Sequence, residues 1–154
     1  MKLLRRAATA IFIINALFVG AAIFARRLIP TYGDEDSDTF ALLASMSGVE
    51  FRSRARALST GKATAFLGGI ELDLRDAVIV DGATLQLRAV LGGISVIVPD
   101  GWRVEVRQRV VAGEVVNETE PDEAPEDAPV LIVDAAAQFG GIAIGVKEPA
   151  AVEA

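Results

Sequence analysis

The chain has no cysteine and no histidine among its 154 residues, and only one tryptophan and one tyrosine. Lacking cysteine, it has no disulfide staples and no thiolate chemistry. Lacking both residues, it is without the usual zinc, copper and haem ligand sets and without a histidine-assisted nucleophile. No Gly-x-x-x-x-Gly-Lys or Gly-x-Gly-x-x-Gly run occurs, so no phosphate cradle is indicated and no cofactor is expected. Basic residues are in the minority, 15 Lys and Arg against 21 Asp and Glu, and a net charge of −6 argues against a nucleic-acid surface on Arg52, Arg54 and Arg56. Carboxylates are what remains for acid–base work. Glu71 and Asp73 stand two apart on one strand face, as paired carboxylates would in glycoside hydrolysis. An outer position exposes both to water, where nothing drives their pKa values apart. The chain is therefore read as non-enzymatic, with a carbohydrate-active protein as the remaining enzyme alternative.

What is abundant is apolar: 52% of residues are hydrophobic and the mean hydropathy is +0.42. Residues 7–25 run without a charge between Lys2, Arg5 and Arg6 on one side and Arg26 and Arg27 on the other. As a helix this stretch spans about 28 Å, a bilayer core, and it predicts one transmembrane helix after a basic flank at 1–6. The competing reading is a cleaved signal peptide, with Gly20 and Ala22 as the small residues before the cut. Three basic side chains plus the amino terminus against two tilt the orientation toward an inside N-terminus. The side on which the rest of the chain lies stays open. Residues 26–39, with Pro30, Gly33 and four acids, read as a polar acidic linker.

The remainder is organised by a repeated corner. Ser47-Gly48-Val49-Glu50-Phe51, Gly68-Gly69-Ile70-Glu71-Leu72, Gly92-Gly93-Ile94-Ser95-Val96, Ala112-Gly113-Glu114-Val115-Val116 and Gly140-Gly141-Ile142-Ala143-Ile144 are diverged copies. Taking Gly48, Gly69, Gly93, Gly113 and Gly141 as equivalent gives spacings of 21, 24, 20 and 28 residues. Periods of this size mark stacked supersecondary units. Apolar residues alternate with others after each corner, which is the period of a half-buried strand. A Gly pair in a strand marks a bend or a close backbone approach. Each unit thus reads as strand, corner, strand and turn. The predicted fold is all-β: a small single-stranded β-solenoid of about five coils over residues 40–147, preceded by one transmembrane α-helix. If the corner needs positive φ at the second glycine, exchanging Gly69 or Gly93 for valine is expected to destabilise it.

Aligning the corners sets Arg52 beside Asp73 and Glu50 beside Glu71 on neighbouring coils. Asp81-Gly82 and Pro99-Asp100-Gly101 follow apolar runs and read as turns. Trp102, the only tryptophan, directly follows the second and reads as packing over a coil edge, with a binding platform as the other possibility. Arg52, Asp73 and Trp102 are the candidate interaction surface. The fourth copy departs from the pattern, with Glu114 where the others place Val or Ile and Arg109 where they place Ala. Either its register slips by one or this coil opens. Residues 117–129, with six acids and three prolines, cannot bury a core and are expected to form a mobile acidic loop. Residues 148–154 read as a disordered tail.

GGIELDLRDA from Gly68, with AVLGGISVIVPDGWRVEV up to Val106, resembles the C-terminal domain of the LiaF-type cell-wall-active antibiotic response proteins. The resemblance spans roughly residues 40–146. It differs in the single apolar span, where that family usually has several, and in AGEVV, where GGV is expected. It implies a bacterial cell-membrane protein with a β-rich repeat domain, associated with control of a sensor histidine kinase in the envelope-stress response. It carries no catalytic residues, and Gly68, Gly69, Asp73, Gly92, Gly93, Pro99 and Trp102 transfer as structural positions. The reading is a single-pass, membrane-anchored interaction module. Its expected partners are the lipid bilayer, another membrane protein such as a sensor kinase and, as an option, further copies of itself. The alternative is a bactofilin-like self-assembling scaffold.

Overall fold

The repeated corners turn at one place in every unit, and the computed structural model, which describes residues 1–146, shows how. Helix α1 (Lys2–Leu28) is followed by eight strands: β1 (Thr39–Ser45), β2 (Gly48–Arg52), β3 (Leu58–Phe66), β4 (Gly69–Asp73), β5 (Ile79–Val90), β6 (Gly93–Ile97), β7 (Arg103–Asn117) and β8 (Val130–Gly145). All the pairings between strands are parallel, so each coil lies on the next in register. Coils 1–3 each consist of a first-arm strand, a corner and a second-arm strand. The fourth and fifth run as single long strands, β7 and β8, through their corners. The result is a small β-solenoid after one helix.

Inward positions of the first arm repeat as Phe40, Gly61, Leu85, Val133 and Val106, and nearer the corner as Ala44, Ala65, Ala89, Ala137 and Val110. Those of the second arm include Ile70, Ile94, Ile142 and Val115. Most of these side chains are buried and close the bore, and alternate residues point out. Phe40 is fully buried in coil 1, its ring centroid 4.9 Å from that of Phe51. Gly61 makes room for it: a Cβ there would come within 2.6 Å of the Phe40 ring and 2.8 Å of Leu85. Pattern reading passed over Gly61 because it is not part of a pair.

The order of stacking differs from the order of the chain. β8 pairs with β5 and β6 on one side and with β7 on the other. The coils therefore stack as first, second, third, fifth, fourth, and the fourth is terminal. That explains its departures. Its outer edge has no further strand to cover it, and Arg107, Arg109 and Glu114 are exposed there, charges of the kind that discourage edge-to-edge pairing. The anticipated register slip is present: Gly113 pairs with Gly140 and Glu114 with Gly141. Gly113 is thus the first glycine of its corner, not the second. Val110 takes the alanine position and Val115 the isoleucine position.

The corner geometry also corrects the expectation about φ. The left-handed residue is not the second glycine but the residue before the first: Met46, Leu67, Leu91, Ala112 and Phe139, all with φ of 52–54°. Holding a non-glycine residue there costs about 1–2 kcal/mol each. The first glycine serves close stacking. A Cβ on Gly68 would lie 2.3 Å from the Ser47 carbonyl oxygen, on Gly92 2.3 Å from that of Gly68, on Gly140 2.3 Å from that of Gly92, and on Gly113 2.1 Å from that of Gly140. Coil spacing in a parallel stack leaves no room for a side chain between these carbonyls.

The predicted turn glycines Gly82 and Gly101 have φ of +78° and +95°. Gly82, however, lies inside β5 at an irregularity of register, where Leu58 pairs with Ile79 but Thr60 with Thr84; this bulge supplies the extra residues of the 24-residue spacing. The linker is fastened to coil 1. Tyr32 bridges Ala41 antiparallel, the Arg54 N–H donates to the Glu35 carbonyl at 2.6 Å, and the Ala57 N–H donates to the Asp38 carboxylate at 3.0 Å. The acidic segment packs against the coils. It contains a turn of 310 helix (Pro121–Glu123), buries Thr119, and accepts at the Pro125 carbonyl from Arg103 at 3.2 Å. The expected tail at 148–154 and the last residue of the repeat domain lie outside the described residues.

Candidate interaction surface

The two arms present different outer faces. On the second arm the outward positions next to the corner are Gly48, Gly69, Gly93, Gly141 and Glu114, followed by Glu50, Glu71, Ser95, Ala143 and Val116. Four glycines in one row leave the backbone bare. An open trough of about 770 Å³ runs along it, crossing all five coils, with Glu50 and Glu71 at one end and Glu114 at the other. A Cβ on Gly69, Gly93 or Gly141 would meet nothing closer than 3.8 Å, and one on Gly48 nothing within 4 Å, so these glycines shape a surface and relieve no clash.

At the coil 1 end, the trough meets a network of charges. Arg52 Nε lies 3.3 Å from Asp73 and 3.1 Å from Asp76, and Arg54 pairs with Glu35 at 2.8 Å. Arg75 grips Asp73 with two bonds, Nε to Oδ1 at 3.0 Å and Nη2 to Oδ2 at 2.8 Å. These hydrogen bonds hold the Asp73 carboxyl below its ordinary pKa; burial opposes them, while the Arg75 backbone N–H and the charges of Arg75 and Arg52 reinforce them. Glu71, the neighbour two residues away, is exposed on the same face. Among the described residues, no group of three or more His, Cys, Asp or Glu side chains is placed to hold a metal.

Arg52 and Asp73 are thus brought together, and Trp102 is not with them. Trp102 is half-buried against the core where the chain enters terminal coil 4, and it shares a cleft of about 610 Å³ with Glu118, Glu120, Glu123 and Pro125 of the acidic segment. Glu120 and Glu123 share a hydrogen bond there, which raises the Glu123 pKa. Pro99 and Gly101 form the turn that leads to this coil. The bare row of second glycines was present in the sequence as a repeated residue, but that its members share one open face depends on the coil register.

Helix α1 is long and apolar enough to cross a membrane over Lys2–Phe24, with a mean hydropathy of 2.3. The family model for the cell wall-active antibiotics response protein LiaF, C-terminal region, matches residues 50–130, from β2 through the acidic segment. Neither the curated proteins nor the solved structures contain a match. With over half of its length matched and with the glycine corners of coils 2, 3 and 4 inside the matched stretch, the chain belongs to the LiaF-like C-terminal family of the cell-wall antibiotic response.

Proposed function

We propose that the chain is a membrane-anchored, non-enzymatic interaction module that takes part in the cell-wall antibiotic response by binding another membrane protein. The partner class is a sensor kinase. The observation that carries this reading is the trough over Gly48, Gly69, Gly93 and Gly141, a continuous surface crossing all five coils in a protein of this family. Its bare backbone accepts a flat or extended partner segment, and Glu50, Glu71 and Glu114 select a basic one. The pinned Arg52–Asp73–Arg75 cluster keeps one end of that surface rigid. Binding there would bias the partner between its states and leave covalent chemistry to the partner.

The test is site-specific photocrosslinking in cells grown with a cell-wall antibiotic. A crosslinker at Ser95 or Glu71, over the trough, should trap a membrane sensor kinase, and one at Thr64 on the outside of the other arm should not. Equal trapping at both faces, or trapping only of further copies of the chain, would remove the assignment. The second outcome would favour the self-assembling scaffold.

A further inference from the structure

Each coil turns on a left-handed residue, and that position ordinarily takes Gly, Asn or Asp. Here it carries Met46, Leu67, Leu91 and Phe139, with Ala112 on the terminal coil. In the stack these side chains form one apolar ridge along the corner edge. Most of this ridge is open to solvent: Met46 is 52% exposed, Leu91 42% and Phe139 65%, Leu67 is half-buried, and Val111 beside the ridge is 59% exposed.

The anchor helix shows what this edge faces. Ser45, the last residue before the first corner, donates its hydroxyl to the Ala22 carbonyl at 3.3 Å, and both residues are buried. Further along the chain, Leu28 and Pro30 line a common cleft with Ala41 and Leu42, and Tyr32 bridges Ala41. As the chain runs from residue 22 to 32, its neighbours in β1 run backward from 45 to 41. The part of α1 before Ala22 therefore continues past the corner edge. That projecting part holds residues 7–21 of the uncharged stretch, about 22 Å of helix, against a hydrocarbon core of about 30 Å. The rest of the span lies alongside the first corner. With Arg5 and Arg6 kept out of the hydrocarbon, a bilayer crossed by α1 reaches the ridge.

The flanking rows have the matching chemistry. Within five residues of the corner, the outer face of the first arm carries Lys62, Arg88, Arg107 and Arg109, with Asp134 as the acid among them. The second arm carries Glu50, Glu71 and Glu114 instead. Apolar side chains backed by cations are the pattern of a protein surface seated in a headgroup layer.

We propose that the corner ridge of Met46, Leu67, Leu91 and Phe139 is a membrane-contacting edge, seated in the headgroup layer of a bilayer containing anionic phospholipid, with the basic first arm tilted toward the lipid. This rests on the anchoring role proposed for α1. The solenoid is thereby held edge-on, with the trough of the second arm turned away from the lipid and open to a partner.

The chain has no cysteine, so single cysteines can be introduced at Leu91, Phe139 or Gln138 on the ridge and at Ala57, away from it, and labelled with an environment-sensitive fluorophore. Gln138 lies in extended strand beside Phe139 and serves if substitution at a left-handed position disturbs folding. The full chain is reconstituted into phosphatidylcholine vesicles with and without 30% phosphatidylglycerol, containing lipids with a headgroup-level quencher. The expected result is at least twofold stronger quenching at the ridge labels than at residue 57, weakened when phosphatidylglycerol is omitted or when Arg88→Gln and Arg109→Gln are combined. Equal quenching at ridge and control sites in protein that floats with the vesicles would overturn the membrane edge. Ridge quenching indifferent to phosphatidylglycerol would overturn the assignment to anionic lipid. Failure to float would instead refute the anchoring role.

Discussion

Two rows of glycine run side by side along this solenoid, and they do opposite things. Gly68, Gly92, Gly140 and Gly113 stack with each Cβ direction blocked by a neighbouring carbonyl oxygen at 2.1–2.3 Å. At Gly69, Gly93 and Gly141, one residue further on, a Cβ would come no closer than 3.8 Å to a neighbour, an ordinary contact. The first row determines whether the coils can close upon one another. The second determines what the outer face presents. A repeated glycine is therefore not one kind of evidence: the same residue is a packing requirement in one register and a surface feature in the next.

The sharpest way to break the comparison is Gly92→Ala. Its added carbon would meet backbone on the neighbouring coil in the middle of the stack, and the expected loss is about 3 kcal/mol or more, read as a large fall in thermal or denaturant midpoint. An unchanged midpoint would mean that the corners are not stacked as described. Next in size is Gly61→Leu, which overfills the bore at coil 2 against Phe40 of coil 1 and Leu85 of coil 3 and should cost about 1–3 kcal/mol by the same measurement.

Asp73 offers a smaller effect with a distinctive pH signature. Its folded pKa lies below the ordinary carboxylate value of 3.8, so its contribution is fully present above about pH 4 and is lost as pH falls through the folded value. Its partners Arg75 and Arg52 have side chains 36% and 56% exposed, so the contribution is about 1 kcal/mol. Asp73→Asn should lower stability at neutral pH by that amount and flatten the acid limb of a pH–stability curve; an identical acid limb in both proteins would dismiss the cluster as a stabilising element. The smallest expected change belongs to Gly93→Ala. With ordinary contact distances and no left-handed φ, it should leave stability within about 0.5 kcal/mol or raise it slightly. Chemical denaturation of the Gly92 and Gly93 variants together measures the contrast between the two rows.

One pairing within the candidate surface was legible as pattern. Arg52 and Asp73 fall opposite one another because the corner copies align without a gap between coils 1 and 2, and the register bears this out. Coil 4 was harder to place. Matching Gly113 to the second glycines put Glu114 in the bore, whereas matching it to the first puts Val115 there and leaves Glu114 on the outer face. Alternation is blind to a one-residue shift until a partner strand fixes which face is buried. The contacts of the acidic segment were not legible for a different reason. Its composition excludes a core of its own, but Arg103, Ile144 and Trp102 belong to other coils and give it something to lie against.

By itself, the amino-acid order determined the period, the alternation and the uncharged N-terminal stretch, because these depend only on local spacing and side-chain polarity. It thereby specified a helix followed by stacked β-coils turning at shared corners. The tertiary structure alone decided that β8 enters between coil 3 and coil 4, that the left-handed angle falls on Leu67 and Leu91 rather than Gly69 and Gly93, and that the corner edge lies beside Ala22 of the helix. Parallel pairing joins segments far apart in the chain. Any coil with the right alternation can offer the right hydrogen bonds, and the choice among them rests on which neighbours bury each other's open face.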